Sequence, residues 1–133
     1  MRTHKTKLNE TLKKVLIVFF DGAGCRPGGE GSGFAWVCST LGMRNVERVN
    51  GLTNNQAEYH GFIAALSALP DGSSAELFSD SEVLCCQFSG QYKVNNPALL
   101  DLLAKAQALI QTKQLNVKLQ WVPRAQNLAG RLL

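Results

Sequence analysis

The spacing of apolar and polar positions divides the chain into strands and helices before any chemistry is considered. Val15–Phe20 (VLIVFF) is a continuous, β-rich apolar run, the pattern of a strand buried on both faces. Asp21 to Gly33 then packs six glycines and a proline into thirteen residues, which predicts a loop. Phe34–Ser39 reads as a second strand and Val46–Leu52 as a third, with polar alternation. From Asn55 to Leu69 the period becomes helical, with apolar positions at 62, 63, 66 and 69 and a stop at Pro70-Asp71-Gly72. Ala75–Ser79 predicts a short fourth strand and Ser81–Phe88 a short helix. Pro97 opens a longer helix through Gln111, with Leu99, Leu102, Leu103, Ala106 and Ile110 on one side. Val117–Val122 alternates as a fifth strand, and residues 126–133 begin a last short helix. The order βββαβααβα implies an α/β fold: an antiparallel hairpin continued by parallel crossovers, one five-stranded mixed sheet flanked by helices. Neither an internal repeat nor a linker interrupts it.

Length and composition support a single domain. The chain has 133 residues, 45% of them hydrophobic and 18% charged, enough apolar material for a core. Its formal charge of +4 is uneven. Residues 1–14 hold Arg2, Lys5, Lys7, Lys13 and Lys14 against Glu10 alone, which leaves nine basic and nine acidic residues over 15–133. The expected organisation is a basic tail over 1–14 and a neutral domain over 15–133. The charge is therefore weak evidence for a nucleic-acid partner, because it describes the tail. Cysteines at 25, 38, 85 and 86 have no C-x-x-C spacing and read as free thiols of a reducing cytosol. The apolar run after the basic stretch has six residues, too short for a signal peptide, and no segment reaches the ~18 apolar residues of a membrane span. The expectation is a cytoplasmic, soluble monomer with no membrane partner.

Three carboxylates occupy telling places. Asp21 follows the first strand, Glu58 lies near the start of the first helix, and Asp80 follows the fourth strand. Each has an ordinary structural explanation. Asp21-Gly22 suits a turn, Asn55 and Glu58 have capping-box spacing, and so do Ser79 and Glu82. Together they point elsewhere. Parallel neighbouring strands present their C-terminal ends along one edge, where sites form. If the first and fourth strands are neighbours, Asp21 and Asp80 stand side by side with Glu58 above them. Carboxylates so clustered repel one another unless a cation neutralises them. An all-oxygen donor set suits Mg²⁺ or Mn²⁺ and argues against zinc. The glycine-rich loop is no dinucleotide fingerprint, because a strand follows it instead of a helix.

The ordered set resembles type 1 ribonuclease H. It comprises Asp21-Gly22-Ala23 after an apolar strand, Thr53-Asn54-Asn55-x-x-Glu58 opening a helix, and Ser79-Asp80-Ser81 after a strand. Trp121-Val122-Pro123-Arg124-x-x-Asn127 closes it, and Gln91-Tyr92-Lys93-Val94 with Asn95-Asn96-Pro97 looks like the compact bacterial and archaeal branch. The resemblance implies a ribonuclease H-like fold and hydrolysis of the RNA strand of RNA–DNA hybrids with two Mg²⁺ ions, or Mn²⁺ in their place. It implies that Asp21, Glu58 and Asp80 are metal ligands, with Asp21 between the ions. It further implies substrate contacts at Gly22, Gly24, Cys25, Asn54, Asn55 and Arg124, sensing the sugar hydroxyl and phosphates.

One position departs from the pattern. The family's fourth carboxylate falls on Gly130 or on Arg131, depending on the alignment, and no acid occurs from residue 102 to 133. A third choice is Asn127, whose amide oxygen then counts among the catalytic groups. No histidine lies downstream of His60. The alternative to a hydrolase is thus a catalytically weak or inactive module that binds hybrid or double-stranded RNA. A related fold acting on DNA junctions is the third option.

Overall fold

The computed structural model describes residues 14–28 and 30–133, so nearly all of the basic segment 1–14 lies outside the described residues. Five strands form one mixed sheet: β1 (Val15–Ala23), β2 (Gly33–Cys38), β3 (Met43–Arg48), β4 (Ser74–Ser79) and β5 (Asn116–Trp121). Three helices connect them: α1 (Asn54–Ala68), α2 (Glu82–Ser89) and α3 (Pro97–Thr112). The sheet order is β3-β2-β1-β4-β5. β1 pairs antiparallel with β2 and parallel with β4, and β4 pairs parallel with β5. The expected hairpin and crossovers are therefore the observed ones.

Alternation along β1 explains the core. Leu16, Val18 and Phe20 face the helices and are buried, joined by Leu77 of β4, Trp36 and Cys38 of β2, and Phe62 and Leu66 of α1. Phe20 stacks on Phe62 at 5.0 Å between centroids, and Phe62 meets Phe88 edge-on at 5.3 Å. Leu99, Leu102, Leu103 and Ala106 close the layer from α3, as their spacing predicts. β1 is not buried on both faces. Ile17 and Phe19 on the opposite side are only partly covered, and Phe19 stacks on Phe78 at 5.1 Å. The short segment Leu128–Leu132 packs over that face at β1 and β2, with Ala129 fully buried.

Three boundaries differ from expectation for identifiable reasons. β3 begins at Met43 instead of Val46, because a tight turn through Ser39–Gly42, with Gly42 at φ 66°, delivers Met43 opposite Cys38. It ends at Arg48, opposite Gly33, the first residue of its antiparallel partner β2. β1 continues through Asp21 to Ala23, so Asp21 is a strand residue and not a turn residue. Residues 126–133 form no α-helix. Two 3₁₀ turns, Arg124–Gln126 and Leu128–Leu132, take their place.

Candidate active site

The site is assembled at the C-terminal edge of β1 and β4. Their last paired residues are Phe19 and Phe78, which sets Asp21 opposite Asp80 two residues further on. α1 is brought over this edge by absent side chains. A Cβ on Gly22 would lie 2.2 Å from the Ala57 carbonyl carbon and 2.3 Å from the Glu58 nitrogen. One on Gly61 would lie 2.8 Å from the Asp21 carbonyl oxygen. The two glycines let helix and strand backbones touch, and that contact lowers Glu58 onto Asp21.

The helix start frees Glu58 from capping. Thr53, not Asn55, is the N-cap: its hydroxyl accepts from Gln56 N at 3.1 Å, and the Gln56 side chain accepts from Thr53 N at 3.0 Å. At α2 the cap is Ser81, whose hydroxyl accepts from Leu84 N, while Ser79 accepts from Ser81 N. Asp80 is left uncommitted there as well. The Thr53-x-x-Gln56 signal was present in the sequence and was obscured by two neighbouring asparagines, each an equally good cap.

Asp21, Glu58 and Asp80 can bring one oxygen each within 4.8 Å of one another. Asp21 is 5% exposed, and its Oδ1 accepts from Gly22 N at 2.9 Å. Glu58 Oε2 is cut off from solvent and has no hydrogen-bond partner. Burial, then the Asp21 charge, pushes the Glu58 carboxyl up to about 10. Burial, then the Asp80 charge, pushes Asp21 up to about 6. A buried, unpartnered carboxylate oxygen beside two further carboxylates is an all-oxygen donor set, and the residues fit a hard divalent ion. Trp121 Nε1 donates to the Asp80 backbone carbonyl at 3.1 Å and steadies the third member.

The other candidates divide. Gly22, Asn54 and Arg124 line a cavity of about 280 Å³ with the three acids. Asn54 Oδ1 accepts from Gly24 N at 2.8 Å, tying the glycine-rich loop to α1. Cys25 and Asn55 are exposed and line no part of that cavity, and the Cys25 amide donates to the Leu52 carbonyl. Asn127 has a different task from the one considered for it. Its Nδ2 donates to the Phe20 carbonyl at 2.9 Å and its Oδ1 accepts from Ala129 N at 3.1 Å, so the amide latches the terminal segment to β1. Position 130 is the one that faces the acids. A Cβ there would stand 3.0 Å from Asp21 Oδ2, which makes Gly130, and not Arg131, the place where a fourth carboxylate would reach the site.

Known proteins resemble this chain in sequence and in fold. A family model described as RNase H matches residues 13–129. A bifunctional protein of Mycobacterium tuberculosis is 39% identical over 120 residues, covering 86% of this chain and 32% of its own length. Ribonuclease HI of Halobacterium salinarum is 34% identical over 114 residues, 82% of this chain and 57% of its own. The chain thus spans less than two thirds of these relatives. Among solved structures, RNase H1 from Halobacterium salinarum superposes with a TM-score of 0.77 at 30% identity, covering 90% of this chain and 94% of that one. An RNase H1 solved in complex with RNA/DNA hybrid gives 0.75 at 30% identity, over 88% of this chain and 92% of that one. Among the described residues no helix is long and apolar enough to cross a membrane.

Proposed function

The chain belongs to the RNase H family, and on that premise we propose that it hydrolyses the RNA strand of RNA–DNA hybrids with a divalent metal, Mg²⁺ or Mn²⁺. The observation that carries the proposal is the Asp21–Glu58–Asp80 cluster with the orphaned Glu58 oxygen. A family relative solved with RNA/DNA hybrid supports the substrate class.

Asp21, Glu58 and Asp80 are the residues that would hold the ion. Bound there, it supplies a water of lowered pKa and positive charge for the phosphodiester transition state. The remaining roles belong to the chain itself. To serve as a ligand Glu58 would have to give up its proton, which would couple metal loading to ionisation of the cluster. Arg124 lines the cavity and offers a guanidinium to the phosphate. Asn54 lines the cavity with its oxygen fixed on Gly24 N, which leaves its amide nitrogen as the group to donate to a sugar hydroxyl. Gly22 lines the cavity with its backbone, the place of its missing side chain being taken by α1.

The test is cleavage of end-labelled hybrid, RNA duplex and DNA duplex in Mg²⁺, Mn²⁺ or EDTA. Metal-dependent cutting of the hybrid's RNA strand is expected, and Asp21→Asn should slow it by about 10²-fold or more, the usual scale for removing an electrostatic partner of the transition state. Cutting that survives Asp21→Asn would overturn the proposal. The bare Gly130 position favours a second reading, a module that binds hybrid or double-stranded RNA without cutting it. Tight binding with no metal-dependent product would decide for that one.

A further inference from the structure

Two cavities of opposite character meet at Asp21. On one side lie Asp21, Glu58 and Asp80, in a space of about 280 Å³. On the other lies a space of about 350 Å³ whose lining includes Asn127, Gly130, Arg131 and Leu133, with Asp21 as its only acidic side chain; Arg124 borders both spaces. Asn127 has both ends of its amide committed to the latch, its nitrogen to the Phe20 carbonyl and its oxygen to Ala129 N. Gly130 contributes no side chain, although its backbone conformation is one that any residue adopts. Among the described residues the one ion pair is Lys105–Asp101, so neither guanidinium is neutralised by a carboxylate. Arg48 adds a third cation nearby, its Nη2 donating to the Leu132 carbonyl at 3.5 Å.

Resting on the function proposed above, we propose that the Arg124–Arg131 cavity is a backbone-phosphate subsite, and that this chain holds a single divalent ion, on the Glu58–Asp80 side of Asp21. The charges decide it. A second cation in the arginine cavity would meet one carboxylate side chain, already shared with the first ion, and would face Arg131 in addition to the Arg124 that borders both spaces, without Glu58 or Asp80 to offset them. A phosphodiester there meets two fork-shaped donors able to bind it in pairs of hydrogen bonds. Arg131 then does for the nucleic acid what an acid-held second ion would do: it draws a phosphate up to Asp21 and screens the carboxylate from it.

The experiment reads binding and metal count apart from turnover. Fluorescence anisotropy of labelled hybrid in EDTA, across a salt series, compares the wild type with Arg131→Ala and Arg131→Lys. Arg131→Ala should weaken binding several-fold and flatten the plot of log K against log salt by about 0.9, the contribution of one phosphate contact. Arg131→Lys should keep the slope. Titration with Mn²⁺, followed by its free-ion resonance, should count one ion on the wild type and on Arg131→Ala, and two on Gly130→Asp. Equal affinity and slope for Arg131→Ala, in a wild type that cuts hybrid, overturns the subsite alone. Two Mn²⁺ ions on the wild type overturns the single-ion claim. A wild type that neither binds nor cuts hybrid overturns the underlying function and this inference with it.

Discussion

Replacing Glu58 by glutamine should make the metal-free protein more stable. The Glu58 carboxyl is pushed up to about 10, first by burial and second by the Asp21 charge, while in the unfolded chain it titrates near 4.5. At pH 7 the folded state must therefore keep a proton that the unfolded state has released. At ~1.4 kcal/mol per pH unit, holding it over that interval costs about 3 kcal/mol. Glutamine is neutral at no such cost, and its amide can donate to the Asp21 carboxylate. Part of the gain is lost in fitting two N–H groups where one O–H stood, so a net gain of about 1–2 kcal/mol is expected. For a domain of this size that raises Tm by ~5 °C.

The sign with pH follows from linkage. An acid whose folded pKa lies above its unfolded one contributes most below the unfolded value, and that contribution drains away as pH rises. The glutamine advantage should vanish near pH 4.5 and widen toward pH 10. Mn²⁺ inverts the order: at 100-fold excess over Kd it stabilises the wild type by about 2.7 kcal/mol, and the variant far less. Loading at pH 7 should also release about one proton per ion, measurable by calorimetry in buffers of different ionisation enthalpy. The assay is thermal melting in EDTA and in Mn²⁺ from pH 5 to 9. A glutamine variant no more stable than wild type in EDTA at pH 7, or one that gains as much from Mn²⁺, would refute the reasoning.

Gly22→Ala should lose about 3 kcal/mol or more in urea titration, because its Cβ meets immovable backbone at Ala57 and Glu58, and Mn²⁺ affinity should fall as Glu58 is displaced. Thr53→Ala should lose about 1 kcal/mol with the capping box, and hydrogen exchange at Ala57 and Gln56 should quicken. Asn127→Ala should lose about 2–3 kcal/mol by orphaning the Phe20 carbonyl and Ala129 N–H, and Mn²⁺ affinity should hold, since its amide serves the latch.

The strand order was legible because one apolar run, Val15–Phe20, has to be central and the helix after β3 has to cross over it. That topology alone set Asp21 beside Asp80, and the Phe19–Phe78 pairing carries the same register to the edge. Other features were not legible, because they depend on distances across the fold. No spacing rule distinguishes Gly22 and Gly61, which admit a helix backbone, from the loop glycines beside them. Thr53 lost to Asn55 as the expected cap because local capping signals overlapped. The early start of β3 was set by where the hairpin turn released the chain, and its hydrophobic pattern carried no trace of it. Asn127 looked like a ligand because only its type was visible, whereas its task is fixed by the Phe20 carbonyl 107 residues away.

Position 130 joins these strands of argument. Alignment left Gly130, Arg131 and Asn127 as rivals for one role, and no property of the sequence could rank them. Geometry does. Asn127 is consumed by the latch that holds residues 128–132 against β1, and it is this latch that brings Gly130 to within a Cβ's reach of Asp21 Oδ2. An acid there would add a further carboxylate beside Asp21 and raise the cost of a cluster in which burial already pushes Glu58 up to about 10 and one of its oxygens is orphaned. Leaving it out relieves the metal-free fold and removes a donor from one side of Asp21 only, the side that Arg131 lines. The fold has thus kept the half of the site that attracts a cation and turned the other half toward an anion.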